Sequence, residues 1–250
     1  MIQFIFKSEE DFAQSTARFI LEKAEFFLSQ NGLCSLILAG GTTPRPVYLR
    51  LGELLSGKKI PPASLFFFLG DERPVPPESP ERNEMMIRES LFRSFIPHEA
   101  NVVFWDAPPH SPVTCARNYE KTINSFFTEK ARTPDITILG LGEDGHTASL
   151  FPGSNVENDN GERSVLSAST PGNAFAVHLP ATDTWRLSLS AYIIRSSKEI
   201  VILVGGENKE IAFRHLMAHD QEIPASWVVN EHTSAFVLGK AVQSDASDRQ

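Results

Sequence analysis

Short, continuously apolar runs alternate along the chain with longer segments whose apolar residues have helical spacing. The runs at residues 33–39, 65–69, 136–141 and 200–204 have strand length and few polar residues, which is typical of strands buried on both faces of a sheet. Residues 8–30 instead repeat apolar side chains every three or four positions, as an amphipathic helix does. This alternation predicts an α/β protein with one mainly parallel, doubly wound sheet and helices on both faces.

The remaining segments extend the same pattern over most of the chain. Ser8 followed by Asp11 is typical of a helix start, and the polar residues 153–164 indicate a mobile surface loop. No linker or repeat interrupts residues 1–242, so we expect a single domain, with residues 243–250 as a polar, disordered tail. Further strands are expected near the amino terminus and at residues 102–104, 174–179, 185–190, 225–229 and 235–238, and further helices from Pro44, over 83–95, over 115–130 and over 210–217.

The stretch of residues 134–152 changes abruptly from an apolar strand to a loop rich in glycine and charge. A loop at the carboxyl end of a buried strand lies where open α/β sheets bind their ligands. Histidine is the side chain whose unperturbed pKa suits proton transfer near neutrality. A plain glycine turn with a capping aspartate and a solvated histidine is the alternative, but the density of these groups favours a functional site. The loop contains Gly140, Gly142, Glu143, Asp144, Gly145 and His146.

Three other predicted strands also end in glycines or charged residues. The run at 33–39 leads into a Gly-Gly-Thr-Thr-Pro loop, residues 40–44, at a predicted helix start. Backbone N–H groups and two hydroxyls at a helix amino end suit a phosphate, although an isolated loop of this kind is more often only a turn. The Walker and dinucleotide-binding glycine patterns are absent. The run at 65–69 is followed, after one glycine, by Asp71, Glu72 and Arg73. The run at 200–204 is followed by the sequence GGENK, residues 205–209.

Composition and charge restrict the class of protein. The 250 residues include 41% hydrophobic residues, enough for a substantial core, and the net charge of -8 argues against nonspecific nucleic-acid binding. Cys34 and Cys115 form no disulfide framework, and neither the cysteines nor the histidines have metal-ligand spacing. No apolar stretch is long enough to span a bilayer. We therefore expect a soluble cytoplasmic protein without a metal or cofactor, without nucleic-acid or membrane partners, and either monomeric or weakly homo-oligomeric.

Taken together, the motifs resemble the 6-phosphogluconolactonase family, which is grouped with the glucosamine-6-phosphate isomerases. The resemblance implies a Rossmann-like fold of the NagB/RpiA/CoA transferase-like kind. The SLFP ending after the DGH sequence, together with Arg73, resembles the lactonases, whereas the deaminases typically have Asn-Glu-Pro there. The matching motifs, in the order usual for the family, are residues 38–44 (LAGGTTP), 70–75 (GDERPV), 139–152 (LGLGEDGHTASLFP), 186–190 (RLSLS) and 205–209 (GGENK).

The resemblance implies hydrolysis of 6-phospho-D-glucono-1,5-lactone to 6-phospho-D-gluconate in the oxidative pentose phosphate pathway. His146 would act first as general base and then as general acid. Asp144 or Asp71 would orient it, and backbone amides between Gly142 and Gly145 would stabilise the oxyanion. The alternatives are a glucosamine-6-phosphate deaminase or isomerase and a noncatalytic regulator that binds sugar phosphates.

The substrate and its phosphate are expected to contact several of the same motifs. Two residues depart from the family pattern: Arg82 precedes Asn83 where serine is usual, and Arg195 stands where asparagine is frequent. Both departures bear on local site geometry, and neither removes a proposed catalytic group. The expected binding residues are Gly40, Gly41, Thr42, Thr43, Arg73, Asn83, Gly142, Gly145, Arg186 and Lys209.

Overall fold

The structure is a computed structural model, which describes residues 1–107 and 111–239. Strands and helices alternate along most of this length, as the apolar pattern predicts. The elements are β1 (Ile2–Phe6), α1 (Glu9–Asn31), β2 (Cys34–Leu38), α2 (Pro44–Ser56), β3 (Leu65–Leu69), β4 (Asp71–Glu72), α3 (Asn83–Ser94), β5 (Val102–Val103), α4 (Pro112–Ile123), β6 (Ile136–Gly140), β7 (Asn155–Glu157), β8 (Arg163–Val165), β9 (Ala174–Leu179), β10 (Thr184–Leu189), α5 (Ala191–Arg195), β11 (Glu199–Gly205), α6 (Glu210–Met217), α7 (Pro224–Trp227) and β12 (Thr233–Leu238).

The main sheet has seven strands in the order β1-β12-β11-β6-β2-β3-β5, and every neighbouring pair is parallel. All five residues of β2 are buried, which confirms the prediction of a strand covered on both faces. The chain runs outward from β2 to β3 and β5, and then returns to β6 before continuing to β11 and β12. The strand order therefore reverses between β2 and β6, and such a reversal opens a ligand-binding crevice at the carboxyl ends.

A second, antiparallel sheet of five strands was not predicted. Its order is β4-β10-β9-β7-β8. Residues 153–164, expected as a loop, contribute β7 and the start of β8. Only Gly70 separates β3 from β4, and Asp71 of β4 lies opposite Ser188 of β10. The second sheet is therefore attached directly to one of the strand ends that carry charged residues.

Helix ends follow the signals in the sequence. The Ser8 hydroxyl accepts a hydrogen bond from the Asp11 amide at 3.1 Å, and Gly32 ends α1 with a left-handed φ of 72°. The helix expected from Pro44 begins there, and α6 spans the residues predicted for it. Pro44 suits the first turn of α2 because that position needs no N–H donor.

Two predicted elements were wrong in type or extent. Residues 225–229 were expected as a strand, but Pro224 instead starts the short helix α7, since proline favours the first helical position. The helix expected over residues 115–130 begins earlier, and α4 passes into a π-helical turn, Asn124–Thr128. The tail predicted for residues 243–250 lies outside the described residues.

Buried aromatic residues hold the carboxyl end of β3 in place. Trp105 and Tyr119 stack with ring centroids 3.8 Å apart. The Tyr119 hydroxyl accepts a hydrogen bond from the Leu69 amide and donates to the Leu69 carbonyl, both at 3.0 Å, while the Trp105 indole donates to the same carbonyl at 2.9 Å. Because these groups are fully packed, the residues that follow Leu69 leave the sheet from a fixed position. In the described parts of the chain no helix is long and apolar enough to cross a membrane.

Candidate active site

The loops that follow β2, β3, β6 and β11 meet around one cavity of about 400 Å³ at the crevice of the main sheet. Their meeting follows from the parallel strand order, which brings four carboxyl ends to one edge. Asp144, Gly145 and Arg186 are the residues expected at the site that do not line this cavity. The expected residues that do line it are Gly40, Gly41, Thr42, Thr43, Asp71, Arg73, Asn83, Gly142, His146 and Lys209.

His146 and Asp144 form a close pair in the loop after β6. The Asp144 Oδ1 atom lies 2.5 Å from His146 Nδ1 and also accepts the His146 backbone N–H at 3.0 Å. Desolvation raises the pKa of Asp144, but these hydrogen bonds outweigh it and leave the pKa lowered. An ionised Asp144 keeps the proton on Nδ1, so Nε2 carries the free lone pair. The Phe151 ring stacks on the imidazole with centroids 4.1 Å apart and fixes its plane.

The glycines of this loop are required by close contacts. A Cβ atom on Gly142 would lie 2.1 Å from His146 Nδ1 and 2.7 Å from Asp144 Oδ1. Gly145 has a φ of 80°, and a Cβ there would lie 2.6 Å from Ile223. The Gly142 amide donates to the His146 carbonyl at 2.8 Å, and the Gly145 amide donates to the Gly142 carbonyl at 3.2 Å. These two amides are therefore engaged within the loop, and within the expected stretch of Gly142 to Gly145 these contacts leave the amides of Glu143 and Asp144 as candidates for the oxyanion.

Asp71, the first residue of β4, lines the cavity in a different environment from that of Asp144. Burial raises the pKa of Asp71, and a hydrogen bond from the Ser149 hydroxyl and the nearby cations partly oppose that increase. The Ser149 Oγ atom donates to Asp71 Oδ2 at 2.8 Å. The two acids therefore have pKa values shifted in opposite directions, which is typical of acids that serve different roles at one site. Of the two, it is Asp144 that makes direct contact with the His146 imidazole.

Arg73 and Asn83 form one wall of the cavity. Arg73 Nη1 donates to Asn83 Oδ1 at 2.8 Å and to the Glu81 carbonyl at 2.7 Å, and Asn83 Nδ2 donates to the Asp71 carbonyl at 2.9 Å. Any side chain on Gly40 would collide with Asn83, since a Cβ would lie 1.8 Å from Asn83 Oδ1. The Gly40 backbone thus packs directly against this wall.

Glu72 supports this wall through hydrogen bonds to its backbone and was not predicted as a site residue. It is fully buried, and its carboxylate accepts the backbone N–H groups of Arg73 and Asn83, both at 2.8 Å, and of Glu84 at 2.9 Å. Desolvation raises its pKa, although the three amide hydrogen bonds act in the opposite direction. Glu72 thereby holds the start of α3 beside the cavity. The only signal in the sequence was its position between Asp71 and Arg73.

Arg82, one of the two departures from the family pattern, is a buried cross-link. Its guanidinium donates to the carbonyls of Val75 and Ala107 at 3.4 Å and of Trp105 at 3.2 Å, and it pairs with Glu84 at 3.0 Å. Only its Nε atom lacks a partner. Arg82 therefore joins the loop before α3 to the segment after β5. The other departure, Arg195, is exposed at the end of α5 and does not line the cavity.

Three cations lie at or near the cavity: Arg73 and Lys209 line it, and Arg186 lies outside its lining but interacts with Arg73 and Asp71. Lys209 Nζ lies 3.9 Å from Glu143 Oε1, and the Asn208 amide also donates to Glu143. Arg186 stands on β10, where desolvation and the neighbouring Arg73 lower its pKa. Among the side chains that the structure describes, no carboxylate lies within 4.0 Å of the Arg73 or Arg186 guanidinium. Two adjacent guanidinium groups without a carboxylate partner provide an attractive position for an anion.

Metal ligands are not grouped at the site. Across the ranges that the structure describes, no three or more histidine, cysteine, aspartate and glutamate side chains are arranged to hold a metal ion. Cys34 and Cys115 are both buried and unpaired. The residues that line the cavity are suited to proton transfer and to anion binding.

Comparisons with known proteins agree over nearly the whole chain. Residues 7–237 match the family described as "Glucosamine-6-phosphate isomerases/6-phosphogluconolactonase". The 6-phosphogluconolactonase of Thermotoga maritima is 30% identical to this chain, and the alignment covers 94% of this chain and 98% of that protein. The 6-phosphogluconolactonase of Caulobacter vibrioides is 34% identical to this chain, and the alignment covers 82% of this chain and 83% of that protein.

Solved structures show the same relationship. A crystal structure of 6-phosphogluconolactonase from Thermotoga maritima is similar with a TM-score of 0.78 at 26% identity, covering 96% of this chain and 99% of that chain. A monomeric glucosamine-6-phosphate deaminase of the NagB superfamily shares the fold with a TM-score of 0.78 at 19% identity, covering 96% and 98%. The chain is therefore a member of the glucosamine-6-phosphate isomerase/6-phosphogluconolactonase family.

Proposed function

We propose that this protein hydrolyses 6-phospho-D-glucono-1,5-lactone to 6-phospho-D-gluconate in the oxidative pentose phosphate pathway. The observation that carries the proposal is the Asp144–His146 pair, joined at 2.5 Å, at a cavity that Arg73 and Lys209 also line. The curated relatives described above are named 6-phosphogluconolactonases. The SLFP ending after His146 favours the same branch of the family over the deaminases.

In the proposed reaction His146 is the proton carrier. Its Nε2 atom takes a proton from water as the water oxygen bonds to C1 of the lactone, and the carbonyl oxygen becomes an oxyanion. The bond between C1 and the ring oxygen then breaks, and the imidazolium returns the proton to that ring oxygen. Asp144 orients the imidazole and stabilises its positive charge, as an aspartate does for other catalytic histidines. Arg73 lines the same cavity and supplies positive charge for the oxyanion.

The phosphate is proposed to bind at the other side of the cavity. Thr42 and Thr43 bring two hydroxyl groups to the amino end of α2, where the helix dipole favours an anion. Lys209 lines the same cavity. Arg186, which lies outside the cavity lining but interacts with Arg73, is the second proposed phosphate ligand.

One pair of assays separates the candidate functions. Purified protein should hydrolyse fresh phosphorylated lactone faster than the spontaneous reaction and should release no ammonia from glucosamine 6-phosphate. Release of ammonia at a comparable rate would instead assign the deaminase or isomerase activity. Binding of sugar phosphates without turnover of either compound would assign the noncatalytic regulator.

The phosphate ligands are tested with a second substrate. Lys209→Ala and Arg186→Ala should each lower kcat/KM for the phosphorylated lactone by roughly 10- to 150-fold, the usual loss for one hydrogen bond to a charged group. The unphosphorylated lactone serves as control, because its poor turnover should hardly change in either variant. Equal losses on both lactones would show that the residue supports the fold or the chemistry and not the phosphate.

We further propose that the enzyme acts in the cytoplasm as a monomer or weak homo-oligomer, without nucleic-acid or membrane partners. The net charge of -8 supports this, since an acidic surface repels a polyanion. Size-exclusion chromatography with light scattering at several protein concentrations would test the oligomeric state.

A further inference from the structure

Ser149 joins the loop after β6 to Asp71, the first residue of β4. It follows the catalytic histidine by three residues, is only 2% exposed, and donates its hydroxyl proton to Asp71 Oδ2 at 2.8 Å. Seventy-eight positions separate the two residues in the chain. A buried serine that bonds to a carboxylate at the cavity is placed to control that carboxylate.

The backbone around Ser149 is shaped to present this hydroxyl. Ala148 has a φ of 48°, in the left-handed region that residues with a side chain rarely adopt. Such a conformation persists only where the surrounding structure holds it. Here the Thr147 hydroxyl donates to the Gly140 carbonyl at 2.8 Å, and the Ser149 amide donates to the Ser188 hydroxyl at 3.2 Å. The turn therefore directs Ser149 back toward β4, where Asp71 lies opposite Ser188.

The hydrogen bond from Ser149 makes the two carboxylate oxygens of Asp71 differ in their hydrogen bonding. Oδ2 accepts the Ser149 hydroxyl, whereas none of the described backbone or side-chain groups donates a hydrogen bond to Oδ1. Four charged or titratable groups interact electrostatically with this carboxyl. They are Arg73 directly after β4, His146 in the loop after β6, Arg186 on β10 and Tyr48 on α2. Asp71 lines the cavity together with His146 and Arg73.

We propose that Ser149 is a positioning residue, which holds Asp71 as an ionised carboxylate with Oδ1 facing the cavity, so that it supports the positive charge formed on His146. Burial opposes that ionisation, and the hydroxyl donation counteracts the burial. The catalytic part of this inference rests on the proposed lactone hydrolysis, because His146 becomes positive only when it takes the proton from water. The structural part, control of the Asp71 carboxyl, does not depend on any activity.

The structural part is tested by titration of Asp71 in the full chain. ¹³C NMR of aspartate-labelled protein would follow the carboxyl signal, assigned by its absence in Asp71→Asn. Ser149→Ala should raise the Asp71 pKa by about one to two units, as expected for the loss of one hydrogen bond to a charged group. Ser149→Thr should restore it, and Ser149→Cys, a weaker donor that needs less repacking, should give an intermediate shift.

The matched control is Ser154→Ala. Ser154 is as buried as Ser149 and lies in the same segment, but its hydroxyl donates to the Phe151 carbonyl at 2.8 Å and not to Asp71. This variant should leave the Asp71 titration unchanged. An unmoved Asp71 pKa in both Ser149→Ala and Ser149→Cys would overturn the proposal, as would an equal shift in Ser154→Ala.

Kinetics test the catalytic part. Ser149→Ala should lower kcat for the phosphorylated lactone by roughly tenfold while KM changes by less than about twofold, because the interaction matters only when His146 is charged. A shifted Asp71 titration with unchanged kcat would refute the role of Ser149 in the reaction. If the parent protein does not hydrolyse the lactone at all, the proposed function fails, and the titration alone still decides whether Ser149 controls Asp71.

Discussion

Replacing Gly142 with alanine would test whether the Asp144–His146 pair is the reacting centre. The glycine has no left-handed φ, so alanine fits its backbone. The added methyl group, however, would lie 2.1 Å from His146 Nδ1, 2.3 Å from Cε1 and 2.7 Å from Asp144 Oδ1. Carbon atoms in contact need about 3.5 Å or more, so the imidazole must move by more than 1 Å or rotate away.

The expected loss is that of the catalytic histidine itself. Gly142→Ala should lower kcat by roughly 10²–10⁴-fold, the usual scale for a positioned acid–base group, because a displacement near 1 Å removes the aligned geometry. The His146 side chain is 31% exposed and can swing into solvent. The free energy of unfolding should therefore fall by less than about 1 kcal/mol.

The assay is turnover of fresh phosphorylated lactone, corrected for spontaneous hydrolysis, with thermal unfolding measured in parallel. A double-mutant cycle sharpens the result: in a His146→Ala background, Gly142→Ala should cost almost nothing further, since both changes remove the same group. Near-normal turnover of Gly142→Ala would refute the reasoning. A full additional loss in the His146→Ala background would show that the methyl group acts elsewhere.

Three further predictions follow from the same site. Glu72→Gln should lower the free energy of unfolding by about 2–4 kcal/mol in denaturant titrations, because a buried amide cannot accept all three N–H groups and the charge at the start of α3 is lost; an unchanged midpoint would contradict this. The pKa of Asp144 is lowered in the folded protein, so its contribution to stability is present above the ordinary aspartate pKa of about 3.9 and is lost as pH falls through the lowered value. Asp144→Asn should therefore lose less stability than the parent across that acid window, as thermal unfolding at a series of pH values would show. Dialysis against a chelator should leave turnover unchanged. Loss of turnover on dialysis, followed by recovery when a divalent ion is added, would contradict this prediction.

Local patterns were sufficient for the elements that form the main sheet. The runs at 33–39, 65–69, 136–141 and 200–204 became β2, β3, β6 and β11, because a strand buried on both faces excludes polar residues whatever surrounds it. Once those strands are parallel, their carboxyl ends lie at one edge. The sequence therefore also indicated which loops meet there, including the one that contains His146 and the one that contains Thr42 and Thr43.

The same local reasoning failed where short segments depend on distant partners. Residues 153–164 are polar enough for a loop, yet β7 is held there by pairing with β9. Residues 225–229 are apolar enough for a strand, but Pro224 and the Ala225 amide, which donates to the Gly145 carbonyl at 2.9 Å, favour a helical turn. Short apolar or polar runs carry too little periodicity to distinguish these outcomes.

The sequence by itself determined the fold class and placed a histidine and an acid in a glycine loop at the ligand-binding edge. Only the tertiary structure decided that Asp144 and not Asp71 contacts His146, that Glu72 and Ser149 hold the cavity wall, and that Arg186 does not line the cavity. The physical reason is the separation along the chain over which each kind of interaction acts. Periodicity acts between neighbours in the chain, whereas hydrogen bonds such as that between Ser149 and Asp71 join atoms that only the folded sheet brings within 3 Å.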